Sequence, residues 1–149
     1  RVQIYEDKGQ GFSEENSYFP ENVYVAEKEA EFTVKFDGNV HYLRLDPAMC
    51  SCICKIRELS MNGQPVPLQD KKVFTTNGKI LKSEEGADHP SVIFATEDPN
   101  MTIRADVLNR QAENTLSVKM EIVQIPQAMA KDMMGVEKKG AAAWVFGQR

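Results

Sequence analysis

Between residues 116 and 125 the chain alternates apolar and polar side chains. Leu116, Val118, Met120 and Ile122 fall on one side; Ser117, Lys119 and Glu121 fall on the other. Successive residues of a strand face opposite ways, so a period of two predicts a half-buried β-strand. The same period returns along the chain, with turn residues about every ten positions. Val2 and Ile4 alternate with Gln3 and Tyr5, and Phe32, Val34 and Phe36 with Thr33 and Lys35. Asp37-Gly38-Asn39 then leads into a run in which Leu43 and Leu45 alternate with Tyr42 and Arg44. That spacing predicts a hairpin across Asp37-Gly38.

Residues 52–61 form another strand, closed by Asn62-Gly63. Cys52, Cys54 and Ile56 share one parity, whereas Leu59 and Met61 have the other. A β-bulge near Arg57-Glu58 would return all five to one face. Pro65 and Pro67 exclude a central strand after it. Residues 73–76 and 79–81 read as short edge pieces, and 91–95 and 102–107 as further strands. There is no GxGxxG motif, phosphate-binding loop or βαβ alternation. The expected fold is all-β: an antiparallel β-sandwich, jelly-roll or immunoglobulin-like, over residues 1–125. After Pro126 better helix formers run from 127 to 139, and Trp144 lies in an apolar end over 141–146. Residues 126–149 are expected to form a short helix or a linker towards a neighbouring domain.

A chain of 149 residues suits one domain with a sizeable core. Its net charge of −4 argues against nucleic acid, which needs a basic stripe. No apolar run approaches the roughly 18 residues of a membrane span. The chain starts at Arg1 without a signal peptide, so it reads as a domain of a longer or processed polypeptide. Cys50, Cys52 and Cys54 lie two apart, too far along one strand face for an easy disulfide. They are expected to be reduced, buried small hydrophobes, which fits a cytoplasmic setting. As a metal site they lack the C-x₂-C spacing, and only His41 and His89 could complete one.

Chemistry concentrates in the loop over residues 6–17, with Glu6, Asp7, Glu14, Glu15 and Asn16. Such oxygens could hold calcium, although the EF-hand spacing is absent. Paired acids could also serve glycoside hydrolysis. The plain alternative is a solvated or capping loop. Arg44-Leu45-Asp46-Pro47 and Glu97-Asp98-Pro99-Asn100 each end a strand with Asp-Pro. There the Asp is expected to cap its own downstream backbone. Arg44 sits among core-like neighbours and should be paired, with Asp46, Asp98 or Glu14-Glu15 as partner. Tyr5, Phe12, Tyr18, Phe19, Tyr24 and Tyr42 supply rings that could stack on a sugar, or simply fill the core.

The segment Ile4-Tyr5-Glu6-Asp7-Lys8-Gly9-Gln10-Gly11-Phe12-Ser13-Glu14-Glu15-Asn16-Ser17 resembles the start of β-sandwich modules attached to bacterial glycosyltransferases of cell-surface polysaccharide and rhamnan synthesis. Leu43-Arg44-Leu45-Asp46-Pro47 and Phe94-Ala95-Thr96-Glu97-Asp98-Pro99-Asn100 resemble two later landmarks of those modules, in the same order. Glu6 departs from the Asp common there, as does the cysteine-rich 50–54. The resemblance implies a non-catalytic accessory domain that binds or positions glycan, cytoplasmic or membrane-peripheral through its parent. It carries over no catalytic residue. The expected carbohydrate-binding set is Tyr5, Phe12, Glu14, Glu15, Arg44, Asp46 and Asp98, with no resident metal unless calcium sits in the loop. The partner is a glycan or the parent's catalytic domain. A structural spacer or oligomerisation domain, and an enzyme with paired carboxylates, are the alternatives.

Overall fold

Alternation decides which side of each strand is buried. In β4 (Glu29–Asp37) Phe32, Val34 and Phe36 are buried while Glu31, Thr33, Lys35 and Asp37 are exposed. In β12 (Glu113–Gln124) Leu116, Val118 and Met120 are buried in the same way. The computed structural model describes residues 1–20, 24–26, 29–83, 86–108 and 110–139. The apolar end over 141–146 lies outside them, as do the side chains of Tyr24 and His89.

Two antiparallel sheets carry this pattern. The smaller joins β1 (Gln3–Asp7), β2 (Ser17–Tyr18), β5 (Tyr42–Asp46), β8 (Phe74–Thr76) and β11 (Met101–Arg104) in the order β2-β1-β5-β11-β8. The larger adds β3 (Tyr24–Ala26), β6 (Cys52–Met61), β9 (Lys79–Ser83) and β10 (Gly86–Phe94) in the order β3-β4-β12-β6-β10-β9, with β7 (Gln64–Pro65) paired only to β6. Ile4, Leu43, Leu45, Met101 and Ile103 of the first sheet form one core with Phe32, Val34, Leu116, Val118 and Phe94 of the second. A fully buried side chain of this size contributes roughly 1.5–3 kcal/mol. The architecture is the expected all-β sandwich.

The bulge lies where parity slips. Lys119 pairs with Glu58 but Met120 with Ile56, leaving Arg57 as the extra residue. Cys52, Cys54, Ile56, Leu59 and Met61 are all buried as a result. At the next turn Asn62 and Gly63 have φ of 52° and 83°. Two consecutive positive φ angles form the tight turn that matches strand twist. It brings Met61 opposite Gln64.

The hairpin expected across Asp37-Gly38 does not form. β4 lies in the larger sheet and β5 in the smaller, so this connection crosses between them. Partners remote in sequence take the backbone: Gly38 N donates to Ala112 O (3.0 Å), and His41 N to Asp7 O (2.8 Å). A Cβ on Gly38 would lie 2.8 Å from Gln111 O, so the crossing closes only on glycine.

The helix α1 (Gln127–Lys139) follows Pro126 and packs against β10 and β6. Its Ala130 is fully buried, and Gln127 Nε2 donates to Ala95 O at 2.9 Å.

All three cysteines are free, with Cys52 and Cys54 buried and Cys50 half-buried before the strand begins. Burial first, then the neighbouring Cys50, pushes the Cys52 thiol up to about 12. Burial pushes Cys54 up as well, and its Sγ lies 3.4 Å from Met120 Sδ. The thiolate is the nucleophile and the metal ligand, so both groups are quiet. In the native chain at about pH 8 a thiol reagent is therefore expected to modify Cys50 alone. In denaturant all three should react, and prompt labelling of native Cys52 or Cys54, read by mass spectrometry, would contradict this burial.

Candidate functional site

The site is assembled on the outer face of the smaller sheet. Opposed residues in an antiparallel sheet share a face. Ser17 opposes Tyr5, Tyr5 opposes Arg44, Arg44 opposes Thr102, and Thr102 opposes Thr75. One row of side chains thus crosses β2, β1, β5, β11 and β8. Gln3 and Asp46 lie opposite each other beside it, and Tyr42 opposes Asp7 and Arg104 on its other side.

The loop after β1 folds over this face because Asp7 holds it. Asp7 Oδ1 accepts the backbone amides of Gly9 (2.7 Å) and Gly11 (2.9 Å). Both glycines have positive φ, 114° and 85°, a conformation costly for other residues. The chain then reaches Phe12 and a 3-10 turn over Glu14–Asn16, where Ser17 Oγ donates to Glu14 O at 2.7 Å. Glu6 accepts from the Tyr18 hydroxyl at 3.0 Å.

Arg44 is the centre. Its Nε and one terminal nitrogen donate to the two carboxylate oxygens of Asp46, at 2.9 and 3.0 Å. Its guanidinium carbon lies 4.0 Å from the Tyr5 ring centroid and 5.6 Å from that of Phe12. The Arg44 side chain is 22% exposed and that of Asp46 10%. Asp46 occupies two of the five guanidinium N–H groups, which leaves three facing the loop side.

Charge around this pair is unbalanced. Burial lowers the Arg44 pKa, but Asp46 chiefly, with Tyr5 and Asp98, holds it above the ordinary value. Burial raises the Asp46 carboxyl, and Asp98 and Glu14 add to the rise against the pull of Arg44. A hydrogen bond to Glu14 and then burial push the Tyr5 hydroxyl up to about 12. Glu14 Oε2 also accepts from Gln3 Nε2 at 3.4 Å. The exposed Asp98 is positioned by backbone: its carbonyl accepts from Asn77 Nδ2 (2.8 Å) and Asn100 Nδ2 (3.2 Å).

Six of the seven expected residues therefore meet here: Tyr5, Phe12, Glu14, Arg44, Asp46 and Asp98. Glu15 does not join them; it stands exposed on the 3-10 turn. Asp46 spends its carboxylate on Arg44 rather than on capping downstream backbone. Tyr5 is buried, with the guanidinium over its ring, so Phe12 is the more accessible aromatic. Asp7, a calcium candidate, instead caps two amides, and among the described residues no group of three His, Cys, Asp or Glu is placed to hold a metal. Gln3 and Thr102 belong to the site but were not anticipated; the period of two places Gln3 on the Tyr5 side, and only the sheet order brings in Thr102.

No family model, curated protein or solved structure matches this chain. Among the described residues no helix is long and apolar enough to cross a membrane.

Proposed function

We propose that this domain binds or positions a glycan on the outer face of its smaller sheet, as a non-catalytic accessory module of a bacterial glycosyltransferase. The observation that carries the reading is the convergence on Arg44. A half-buried ring, three unspent N–H donors and three carboxylates lie on one rigid face. Sugars present hydroxyls that need both donors and acceptors, and C–H faces that suit a ring such as Phe12. Sites on strands hold such groups more firmly than sites on loops alone. The setting in a glycosyltransferase rests on the motif resemblance, and a cytoplasmic or membrane-peripheral location follows from that parent.

A non-catalytic role is supported by Asp46. Both its oxygens are held by the Arg44 fork, so it is poorly placed to take or give a proton at a glycosidic bond.

A glycan array of bacterial surface polysaccharides tests the reading. The native chain is expected to bind at least one of them. Phe12→Ala should weaken that binding about tenfold, as expected when an aromatic anchor is truncated. Tyr5→Phe, which removes only the hydroxyl bonded to Glu14, should weaken it less. Absence of binding to every bacterial glycan would leave a scaffold and remove the binding function.

A further inference from the structure

The row of side chains does not end at Arg44. Beyond Thr102 it opens into a pocket of about 250 Å³ lined by Tyr42, Lys71, Lys72, Thr75, Thr102 and Arg104. In a chain of net charge −4, three cations gather here. The nearby carboxylates are occupied: Asp106 Oδ1 lies 2.9 Å from Arg104 Nε, its Oδ2 lies 3.4 Å from His41 Nδ1, and Asp70 Oδ1 accepts the Lys72 amide at 2.9 Å. The Lys71 and Lys72 ammonium groups have no ion-pair partner among the described residues. The pocket is thus an electropositive recess, with two threonine hydroxyls and a phenol for hydrogen bonding.

It is continuous with the Arg44 site. Thr102 opposes Arg44 directly, and Tyr42 lies two residues before Arg44 on the same face. Positions two apart on a strand are separated by about 7 Å, and adjacent strands by about 4.8 Å. One oligosaccharide can therefore reach both places. The two ends differ in sign: Glu14, Asp46 and Asp98 surround Arg44, whereas Lys71, Lys72 and Arg104 surround the pocket. A uniformly neutral chain has no use for this polarity.

We infer that the pocket receives an anionic substituent, a carboxylate or a phosphate, of the glycan laid across the sheet. The ligand class is an acidic polysaccharide, and this part of the inference rests on the glycan reading above; the anion site itself does not. Arg104 keeps free N–H groups on the side away from Asp106, and the two lysines close over the anion from the segment before β8.

Titration of inorganic phosphate and, separately, glucuronate into isotope-labelled full chain, followed by amide NMR shifts, tests the anion site. Both ligands, or the one whose anion is used, should move residues 71–75 and 102–104. The double variant Lys71→Ala/Lys72→Ala should weaken this at least tenfold, as expected for lost charge-assisted bonds. Lys71→Arg/Lys72→Arg should retain it, and Phe12→Ala should leave it unchanged. A response to phosphate alone assigns a phosphate substituent, and one to glucuronate alone a uronate. On a glycan array acidic glycans should outrank neutral ones, and the double alanine variant should erase that ranking. Equal binding of neutral and acidic glycans, unaffected by the lysines, overturns the inference and leaves the glycan reading intact. Anion binding at the pocket without any glycan binding has the opposite meaning: the pocket stands and the glycan reading falls. Absence of a response to both anions overturns the anion site.

Discussion

Replacing Arg44 by methionine is expected to cost about 3 kcal/mol of stability, the lower end of what is lost when one partner of a buried ion pair is removed. For a chain this long that corresponds to a fall in Tm of roughly 6–12 °C. The reason is Asp46. Its side chain is 10% exposed and keeps Glu14 and Asp98 as negative neighbours once the guanidinium is gone. The double variant Arg44→Met/Asp46→Leu removes the stranded charge and should recover most of the loss, because an apolar pair of similar volume packs as well as a buried ion pair. Acidity supplies an internal control. Burial and its acidic neighbours already raise the folded Asp46 pKa above the unfolded value. A carboxyl shifted upward opposes folding only when ionised, so its penalty grows as pH rises from about 4 through the folded pKa. The deficit of Arg44→Met, measured by denaturant titration, should therefore be larger near neutrality than near about pH 4. A loss below about 0.5 kcal/mol at neutral pH would mean that the pair acts as an exposed surface bridge.

Two single-residue deletions in β6 should differ sharply. Deleting Arg57 removes the bulge and leaves Cys52, Cys54, Ile56, Leu59 and Met61 in unbroken alternation. The cost is expected to stay below about 2 kcal/mol, since the core face is unchanged and the lost contact is a 3.5 Å ion pair with Glu121. Deleting Lys55 also removes the surplus residue, but then Arg57 takes the inward position of Ile56. That loses a buried isoleucine, worth about 2–5 kcal/mol, and sets a cation in the core in its place. The sum approaches the roughly 5–15 kcal/mol that holds a whole domain together. Circular dichroism and thermal melting should find the first deletion folded and the second unfolded or aggregated. Equal damage from both would show that the bulge itself is required.

That contrast marks what was legible in the chain. Parity is a local property, so the bulge at Arg57 and the inward faces of β4 and β12 could be read directly from residue order. The pairing of Arg44 was equally local, because Asp46 lies two residues on along the same strand face. The destination of β5 was not. Asp37-Gly38-Asn39 turns the chain whichever sheet comes next, and Ala112 and Asp7, far away in sequence, make the choice. The short strands β2 and β3 contain too few residues to show a period. The loop was legible as a special conformation through its glycines, but its acids divide in a way spacing does not reveal. Asp7 caps the backbone, Glu6 meets Tyr18, Glu14 meets Tyr5, and Glu15 faces solvent. The basic pocket was hidden for the same reason: Lys71 and Lys72 meet Arg104 only across the β8–β11 pairing.

The turn at Asn62-Gly63 has a consequence for covalent ageing. An asparagine followed by glycine deamidates when the glycine nitrogen attacks the side-chain carbonyl, closing a five-membered imide. Here Asn62 Oδ1 accepts the Thr115 amide at 2.9 Å, and Asn62 Nδ2 donates to Asn114 Oδ1 at 2.9 Å. Asn114 is itself buried and bonded to both Gln111 N and Gln111 O. The side chain cannot swing towards Gly63 without breaking this amide chain, so the reaction waits on local opening of the turn. The network that locks the start of β12 to the end of β6 thus also guards the bond most prone to spontaneous damage, and couples chemical lifetime to the firmness of one hairpin.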